Sequence, residues 1–209
     1  MSQFGFYIDS TCCSGCKTCQ VACKDKNDLN PGMRWRRVYE VSGGNWKQSP
    51  GGGWTPQVST YNLSISCNHC EDPSCVKACP TKALYKEAEK GLVLIDPEKC
   101  VGCRYCEWAC PYGALQYNED TGIMSKCNFC KDYLEVGNAP SCVSSCPLRA
   151  IDYGELSELK EKYGLINQVH PMPEPSLTKP ALIIGPHHES GTAKANKARI
   201  ANLEEVQND

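Results

Sequence analysis

Apolar residues in this chain fall in short runs separated by polar and glycine-rich stretches. Phe4 to Ile8 and Leu92 to Ile95 are rich in aromatic or aliphatic residues, and Asp9 or Asp96 then starts a turn, so both runs read as strands. Alternation over Arg37 to Val41 and over Val58 to Ile65, on either side of Pro50-Gly51-Gly52-Gly53, predicts a long β-hairpin inserted between Lys24 and Ser66. Glu155 to Tyr163 places Leu156 and Leu159 among Glu and Lys at helical spacing and predicts a surface helix. Beyond Gly164, Pro171, Pro173, Pro175, Pro180 and Pro186 impose an extended path, and the polar segment 187–209 is expected to wrap a neighbour or fray. The longest apolar stretches, such as Leu92 to Ile95 and Ala181 to Ile184, fall far short of the ~20 residues that span a bilayer.

Cysteine punctuates this pattern. The run Cys100-Val-Gly-Cys103-Arg-Tyr-Cys106-Glu-Trp-Ala-Cys110-Pro111 has three thiols within seven residues and a fourth after three more. That spacing suits an iron-sulfur cubane, held by Cys100, Cys103 and Cys106 from one loop, while Cys110 serves a different cluster. Three further quartets follow the theme: Cys13, Cys16, Cys19 and Cys23; Cys67, Cys70, Cys75 and Cys79; Cys127, Cys130, Cys142 and Cys146. Sixteen thiols in four quartets predict four 4Fe-4S clusters. Zinc would explain Cys67 with Cys70, or Cys127 with Cys130, as half of a four-thiolate site, but not the third cysteine of the close-packed triads or the Cys-Pro that closes three of the four groups. A disulfide framework fits worse, because repeated two-residue spacings crowd thiols onto one loop where most pairs cannot reach bridge geometry.

The quartets repeat in pairs. An offset of 87 superimposes Ile8, Asp9, Cys13, Gly15, Cys16, Cys19, Ala22 and Cys23 on Ile95, Asp96, Cys100, Gly102, Cys103, Cys106, Ala109 and Cys110. An offset of 60 superimposes Cys67, Asn68, Cys70 and Asp72 on Cys127, Asn128, Cys130 and Asp132; after a seven-residue insertion, Pro73, Ser74, Cys75, Val76, Cys79, Pro80 and Ala83 match Pro140, Ser141, Cys142, Val143, Cys146, Pro147 and Ala150. The first repeat favours Cys13 over Cys12 as a ligand, since Cys12 corresponds to Lys99, and leaves Cys12 as a bystander thiol. Each unit reads as a strand, a cluster loop and a short helix begun by the last triad cysteine. Gly15 and Gly102 supply the permissive backbone that brings amide N–H groups toward sulfur.

With 209 residues, 41% of them apolar and only 3 of them phenylalanine, the chain has a modest core, so clusters are expected to serve as part of it. Its formal charge of −2 falls to about −10 if four thiolate-bound cubanes add roughly −2 each, which argues against nucleic acid as a partner. Arg34, Arg36 and Arg37 form the one tight basic group and are read as a solvated or partner-facing loop. No Ser, His and Asp grouping, H-E-x-x-H or phosphate loop appears, so the chain is expected to move electrons without catalysing a substrate reaction. The N-terminus carries no basic leader with an apolar stretch.

The stretches Gly15-Cys16-Lys17-Thr18-Cys19, Ser64-Ile65-Ser66-Cys67-Asn68-His69-Cys70-Glu71-Asp72-Pro73, Gly102-Cys103-Arg104-Tyr105-Cys106, Ala109-Cys110-Pro111-Tyr112-Gly113-Ala114, Cys146-Pro147-Leu148-Arg149-Ala150 and Thr178-Lys179-Pro180 resemble the four-cluster ferredoxin-like electron-transfer subunits of molybdopterin oxidoreductases, above all the dimethyl sulfoxide reductase branch. The likeness covers about residues 4–184. It implies an α+β fold of two bacterial-ferredoxin-like halves, each holding two 4Fe-4S clusters, with a β-hairpin insertion and an extended C-terminal tail. The core would span 1–154, including the insertion at 34–62, and the helix and tail 155–209. Quartets one and four would share one half, quartets two and three the other. The ligand sets it implies are Cys13, Cys16, Cys19 and Cys146; Cys67, Cys70, Cys75 and Cys110; Cys100, Cys103, Cys106 and Cys79; and Cys127, Cys130, Cys142 and Cys23. Some relatives carry tryptophan at the position of Cys103 and a 3Fe-4S cluster there; this chain keeps cysteine.

The resemblance also implies partners: a quinol-oxidising membrane anchor that supplies electrons and a molybdopterin catalytic subunit that reduces dimethyl sulfoxide or a similar small oxide. The complex would lie on the periplasmic face of the cell membrane, reached by export with a catalytic subunit that carries a twin-arginine signal; a cytoplasmic location is the alternative. Alternative complexes for the same role are polysulfide or thiosulfate reductase, formate dehydrogenase and hydrogenase, and a zinc-stapled interaction module is the remaining class. The hairpin's Trp35, Trp46 and Trp54 either mark a partner surface or cover the core. His69, between two ligands of a complete quartet, is expected to hydrogen-bond or pack. Arg104, Lys17 and Lys126 flank ligands and would raise a nearby potential, or else are solvated charges.

Overall fold

The computed structural model of the chain describes residues 2–206; Met1 and the last three residues of the expected tail, 207–209, lie outside them. Strand β1 (Phe4–Asp9) leads through the first cysteine loop into helix α1 (Thr18–Lys26), after which β2 (Arg37–Gln48) and β3 (Trp54–Ile65) form a long antiparallel ribbon. The second quartet carries α2 (Ser74–Lys77) and β4 (Leu84–Lys86), and β5 (Val93–Ile95) with α3 (Tyr105–Ala109) brackets the third. A small ribbon of β6 (Gln116–Asn118) and β7 (Ile123–Ser125) precedes the last quartet, which carries α4 (Lys131–Glu135), α5 (Ser141–Ser144) and β8 (Ile151–Glu155). The chain closes with α6 (Leu156–Tyr163), β9 (Leu182–Gly185), α7 (Ser190–Ala193), β10 (Arg199–Ile200) and α8 (Leu203–Val206). This mixture of short helices and small sheets is α+β.

Strand pairing is set by the repeats. β1 lies antiparallel to β8, with Phe4 opposite Glu155 and Ile8 opposite Ile151, while α1 packs on α5. The equivalent β5 lies antiparallel to β4, with Leu84 opposite Ile95, and α3 packs on α2. β9 adds to the first sheet parallel to β1. The period of two then sorts side chains between layers. Phe6, Ile8, Leu182 and Ile184 enter the main core, whereas Tyr7 and Ile183 face the other side, where Leu156 and Leu159 of α6 cover them.

That main core centres on Phe129, which has no exposed surface. Its ring stacks on Phe6 at 4.2 Å between centroids and meets the edge of His69 at 5.2 Å. The cysteines Cys19, Cys67, Cys127, Cys142 and Cys146 belong to the same packed cluster, so apolar burial and sulfur burial are one layer rather than two.

Two expectations are corrected. Arg36 and Arg37 are buried, not solvated. They lie at the buried start of β2, and their guanidinium groups satisfy carbonyl and hydroxyl oxygens: Arg36 Nη1 donates to Ser64 O at 2.9 Å, and Arg37 Nη2 to Gly113 O at 2.6 Å. Within the described residues, the polar tail neither frays nor reaches away. β10 pairs antiparallel with β2 through Ile200 and Val41, Asn202 donates to Val38 O at 2.9 Å, and the small or apolar Ala193, Ala198 and Val206 are buried. The ribbon itself extends past its alternating segments to Gln48 and Trp54, because backbone pairing continues where side chains no longer touch the core. There Trp46 and Trp54 are about 60% exposed, while Trp35 is partly buried and donates its indole N–H to Ser125 Oγ at 3.1 Å.

Since Phe129 joins β1 to the last cysteine loop, Phe129→Ala should cost about 3–5 kcal/mol. At roughly 2–4 °C per kcal/mol for a protein of this size, circular dichroism should show melting lowered by about 10 °C. Melting within about 2 °C of the parent would contradict the central role of this ring.

Candidate metal centres

The loops that carry the cysteines turn tightly because left-handed residues recur at the repeat positions. Gly15 and Gly102 have φ of +73° and +66°, and Lys17 and Arg104, one residue after the second cysteine of each triad, have +61° and +63°. A side chain at Gly102 is doubly excluded, since its Cβ would lie 2.2 Å from the Gly122 carbonyl oxygen. In the other repeat, His69 and Phe129 take φ of +42° and +64° between the first two cysteines of their quartets. The turns direct backbone donors at sulfur: Phe129 N–H points to Cys127 Sγ at 3.4 Å, Ala150 N–H to Cys146 Sγ at 3.3 Å, and Met124 N–H to Cys100 Sγ at 3.4 Å. The helices α1 and α3 begin one residue before Cys19 and Cys106, slightly ahead of the expected start.

Three cysteines of one loop meet a fourth from a distant one. Cys13, Cys16 and Cys19 line a cavity with Cys146, and Cys67, Cys70 and Cys75 line another with Cys110. The remaining cysteines also gather from distant loops. Cys79 and Cys100 pack with Cys106 in a second cluster, and α1, which carries Cys23, packs on α5, which carries Cys142. Cys13 lies on the wall of the first cavity; Cys12 does not, and is exposed beside the Thr11 hydroxyl.

The donor set suits an iron-sulfur cluster. All seventeen cysteines are unbridged, and burial pushes Cys70 and Cys106 up to about 12 and Cys127 up to about 11. Such sulfurs become thiolates when metal replaces the proton. In the second cavity the Asn68 side-chain amide is buried with no hydrogen-bond partner among the described residues, a donor awaiting an acceptor inside the cavity. A zinc ion needs its ligands about 2.0–2.3 Å from one point. The described residues contain no group of three or more His, Cys, Asp or Glu gathered to hold a single ion.

The neighbouring residues divide. His69 is fully buried, its Nδ1 accepts the Val93 N–H at 3.1 Å, and burial followed by the charges of Lys126, Lys86 and Arg36 keeps it neutral, so it packs and hydrogen-bonds. Lys126 is buried and donates to Cys127 O at 3.0 Å, whereas Arg104 is exposed and pairs with Glu107 at 2.7 Å. Lys17 pairs with Glu40 and Glu205 and so fastens α8 over the first loop. Arg36 is the neighbour that sequence reading missed: adjacent arginines before a strand look the same whether they face water or sulfur.

The different positions of Cys12 and Cys13 yield a test. Cys12→Ser should leave iron content unchanged, whereas Cys13→Ser should lose one or more irons from one cluster in metal analysis of anaerobically purified protein. The reverse pattern would show that the wrong thiol has been placed at the first site.

Comparison with known proteins agrees with this chemistry. The family described as a 4Fe-4S dicluster domain matches residues 58–156. The sequence is 50% identical over 205 residues to the B subunit of anaerobic dimethyl sulfoxide reductase from Escherichia coli (strain K12), covering 98% of this protein and 99% of that one. The corresponding B subunit of Haemophilus influenzae is 45% identical over 206 residues, with 99% and 100% covered. Thiosulfate reductase electron transfer subunit PhsB of Salmonella typhi is 38% identical over 158 residues, 75% of this protein and 78% of that one. Near-complete coverage at such identity, joined to cysteine loops built for iron and sulfur, places the protein in the iron-sulfur family of anaerobic dimethyl sulfoxide reductase B subunits.

Proposed function

We propose that the protein is the non-catalytic electron-transfer subunit of a membrane-associated reductase. It would take electrons from a quinol-oxidising anchor subunit and deliver them to a molybdopterin catalytic subunit that reduces dimethyl sulfoxide or a similar small oxide. The observation that carries this reading is the meeting of each cysteine triad, or its counterpart in the other repeat, with one cysteine from a distant loop. Four clusters would be held, by Cys13, Cys16, Cys19 and Cys146; Cys67, Cys70, Cys75 and Cys110; Cys79, Cys100, Cys103 and Cys106; and Cys23, Cys127, Cys130 and Cys142. Two ferredoxin-like halves are supported by the pairings of β1 with β8 and of β4 with β5.

Bound clusters supply one-electron redox chemistry. The protein's own residues hold and tune them. Crosswise ligands tie distant loops together and fix the sites relative to one another. Buried apolar side chains exclude water, and N–H groups aimed at sulfur favour its more negative state. The exposed Trp46 and Trp54 at the ribbon's far end support a protein partner there. Among the described residues no helix is long and apolar enough to cross a membrane. Attachment, on the periplasmic face in this proposal, would depend on partner subunits.

Anaerobically purified protein should contain about sixteen iron and sixteen acid-labile sulfide per molecule. A few zinc ions and no sulfide would contradict the whole reading. In membranes holding the assembled complex, a reduced quinol analogue should bleach the cluster absorbance and dimethyl sulfoxide should restore it. Deleting the anchor should abolish the bleaching and release the protein into the soluble fraction; membrane binding by the protein alone would refute its dependence on partners.

A further inference from the structure

The buried Arg36 lies between two of the cysteine sites. Its side chain is wholly enclosed, its Cζ sits 4.6 Å from the centre of the Phe6 ring, and its Nε has no hydrogen-bond partner among the described residues. The bonds it makes go to neutral oxygens: Ser64 O at 2.9 Å, Ser64 Oγ at 3.2 Å and Ser66 Oγ at 3.0 Å. A guanidinium removed from water in this way is costly unless an anion answers it. Among the described residues no carboxylate is a hydrogen-bond partner of Arg36. The groups facing it are sulfurs. Arginine keeps its charge inside a protein. Cys19, Cys127 and Cys142 share the packed cluster of the Phe6 ring it rests on, and Cys23 is buried on the same helix as Cys19, which packs on the helix carrying Cys142.

Those four cysteines belong to two different sites. Cys19 is on the wall of the first cavity with Cys13, Cys16 and Cys146, and Ser64 Oγ links it to Arg36, lying 3.2 Å from Cys19 Sγ and 3.2 Å from the guanidinium. Cys23, Cys127 and Cys142 gather with Cys130. Reduction of a cluster adds one electron and one negative charge, with no bond made and no proton moved, so a nearby fixed cation favours the reduced form.

We propose that Arg36 is a positioning residue for electron transfer, an internal countercharge shared by the Cys13, Cys16, Cys19, Cys146 site and the Cys23, Cys127, Cys130, Cys142 site, which raises the reduction potentials of both. It reaches the first site through Ser64 as well as by charge. This inference rests on the ligand sets proposed above.

The test is a potentiometric titration of the assembled complex, followed by electron paramagnetic resonance. Signals are assigned to sites by their loss in Cys146→Ser and Cys23→Ser. In Arg36→Met at full iron content, two of the four clusters should become harder to reduce by tenfold or more, which is 59 mV for a one-electron couple, while the other two keep their potentials. Arg36→Lys should recover most of the loss, and Ser64→Ala should shift the first site alone. Iron content tests the ligand sets, and potentials at full iron content test the role of Arg36, so the two failures are distinguishable. Four unchanged potentials, or four shifted equally, would overturn the inference. If Arg36→Met loses iron, the lysine variant decides: retained iron with near-parental potentials supports a charge requirement, and equal loss overturns it.

Discussion

The structure depends on sulfur held away from water. Cys19, Cys23, Cys67, Cys75, Cys106, Cys127, Cys130, Cys142 and Cys146 are all buried, and several share one packed cluster with Phe6, Ile8 and Phe129. Burial disfavours the thiolate, as the rise of Cys70 and Cys106 to about 12 shows. Iron reverses this balance by taking the proton's place, so cluster binding and folding form one equilibrium. A protein with 3 phenylalanines would then hold its interior together partly through the bound metal-sulfur groups.

The crosswise ligation proposed here would explain why the sheets are small. A ligand such as Cys146 meets Cys13, Cys16 and Cys19 only if the first and last cysteine loops are adjacent, and the β1–β8 pairing with α1 against α5 makes them so. The three-residue pair β4 and β5 does the same for the middle loops. The short strands set loop positions; the long β2–β3 ribbon lies outside this scheme, and the tail's β10 and α8 pack along it. Positive charge is placed in the same economical way, with Arg36 and Lys126 inside and Lys17 and Arg104 at the rims of the loops.

Much of this was legible in the residues. The 87- and 60-residue repeats identify equivalent loops, and equivalent positions do adopt the same unusual backbone, as at Lys17 and Arg104. The strand at β1 and the apolar face of α6 follow from local pattern. Which cysteine crosses to which triad does not, because spacing describes one loop and the fourth ligand comes from another; the implied sets came from family resemblance. The long hairpin was legible from its flanks, but its outer pairing over Ser42 to Gln48 was not, because that stretch lacks alternation and is held by backbone hydrogen bonds. Arg36 was misread because charge ordinarily marks the surface, and the oxygens that satisfy its buried guanidinium belong to Ser64 and Ser66, 28 and 30 residues further along.

The central claim is that four quartets, each drawing one sulfur from a distant loop, hold four separate clusters. Anomalous diffraction at the iron edge from crystals of the intact complex tests it most directly. Four separate iron peaks, each resolving into four atoms at higher resolution and each lying among the four sulfurs of one proposed set, are the predicted result. Fewer than four peaks, a peak enclosed by Cys13, Cys16, Cys19 and Cys23 of one loop, or scattering that appears at the zinc edge instead would contradict it.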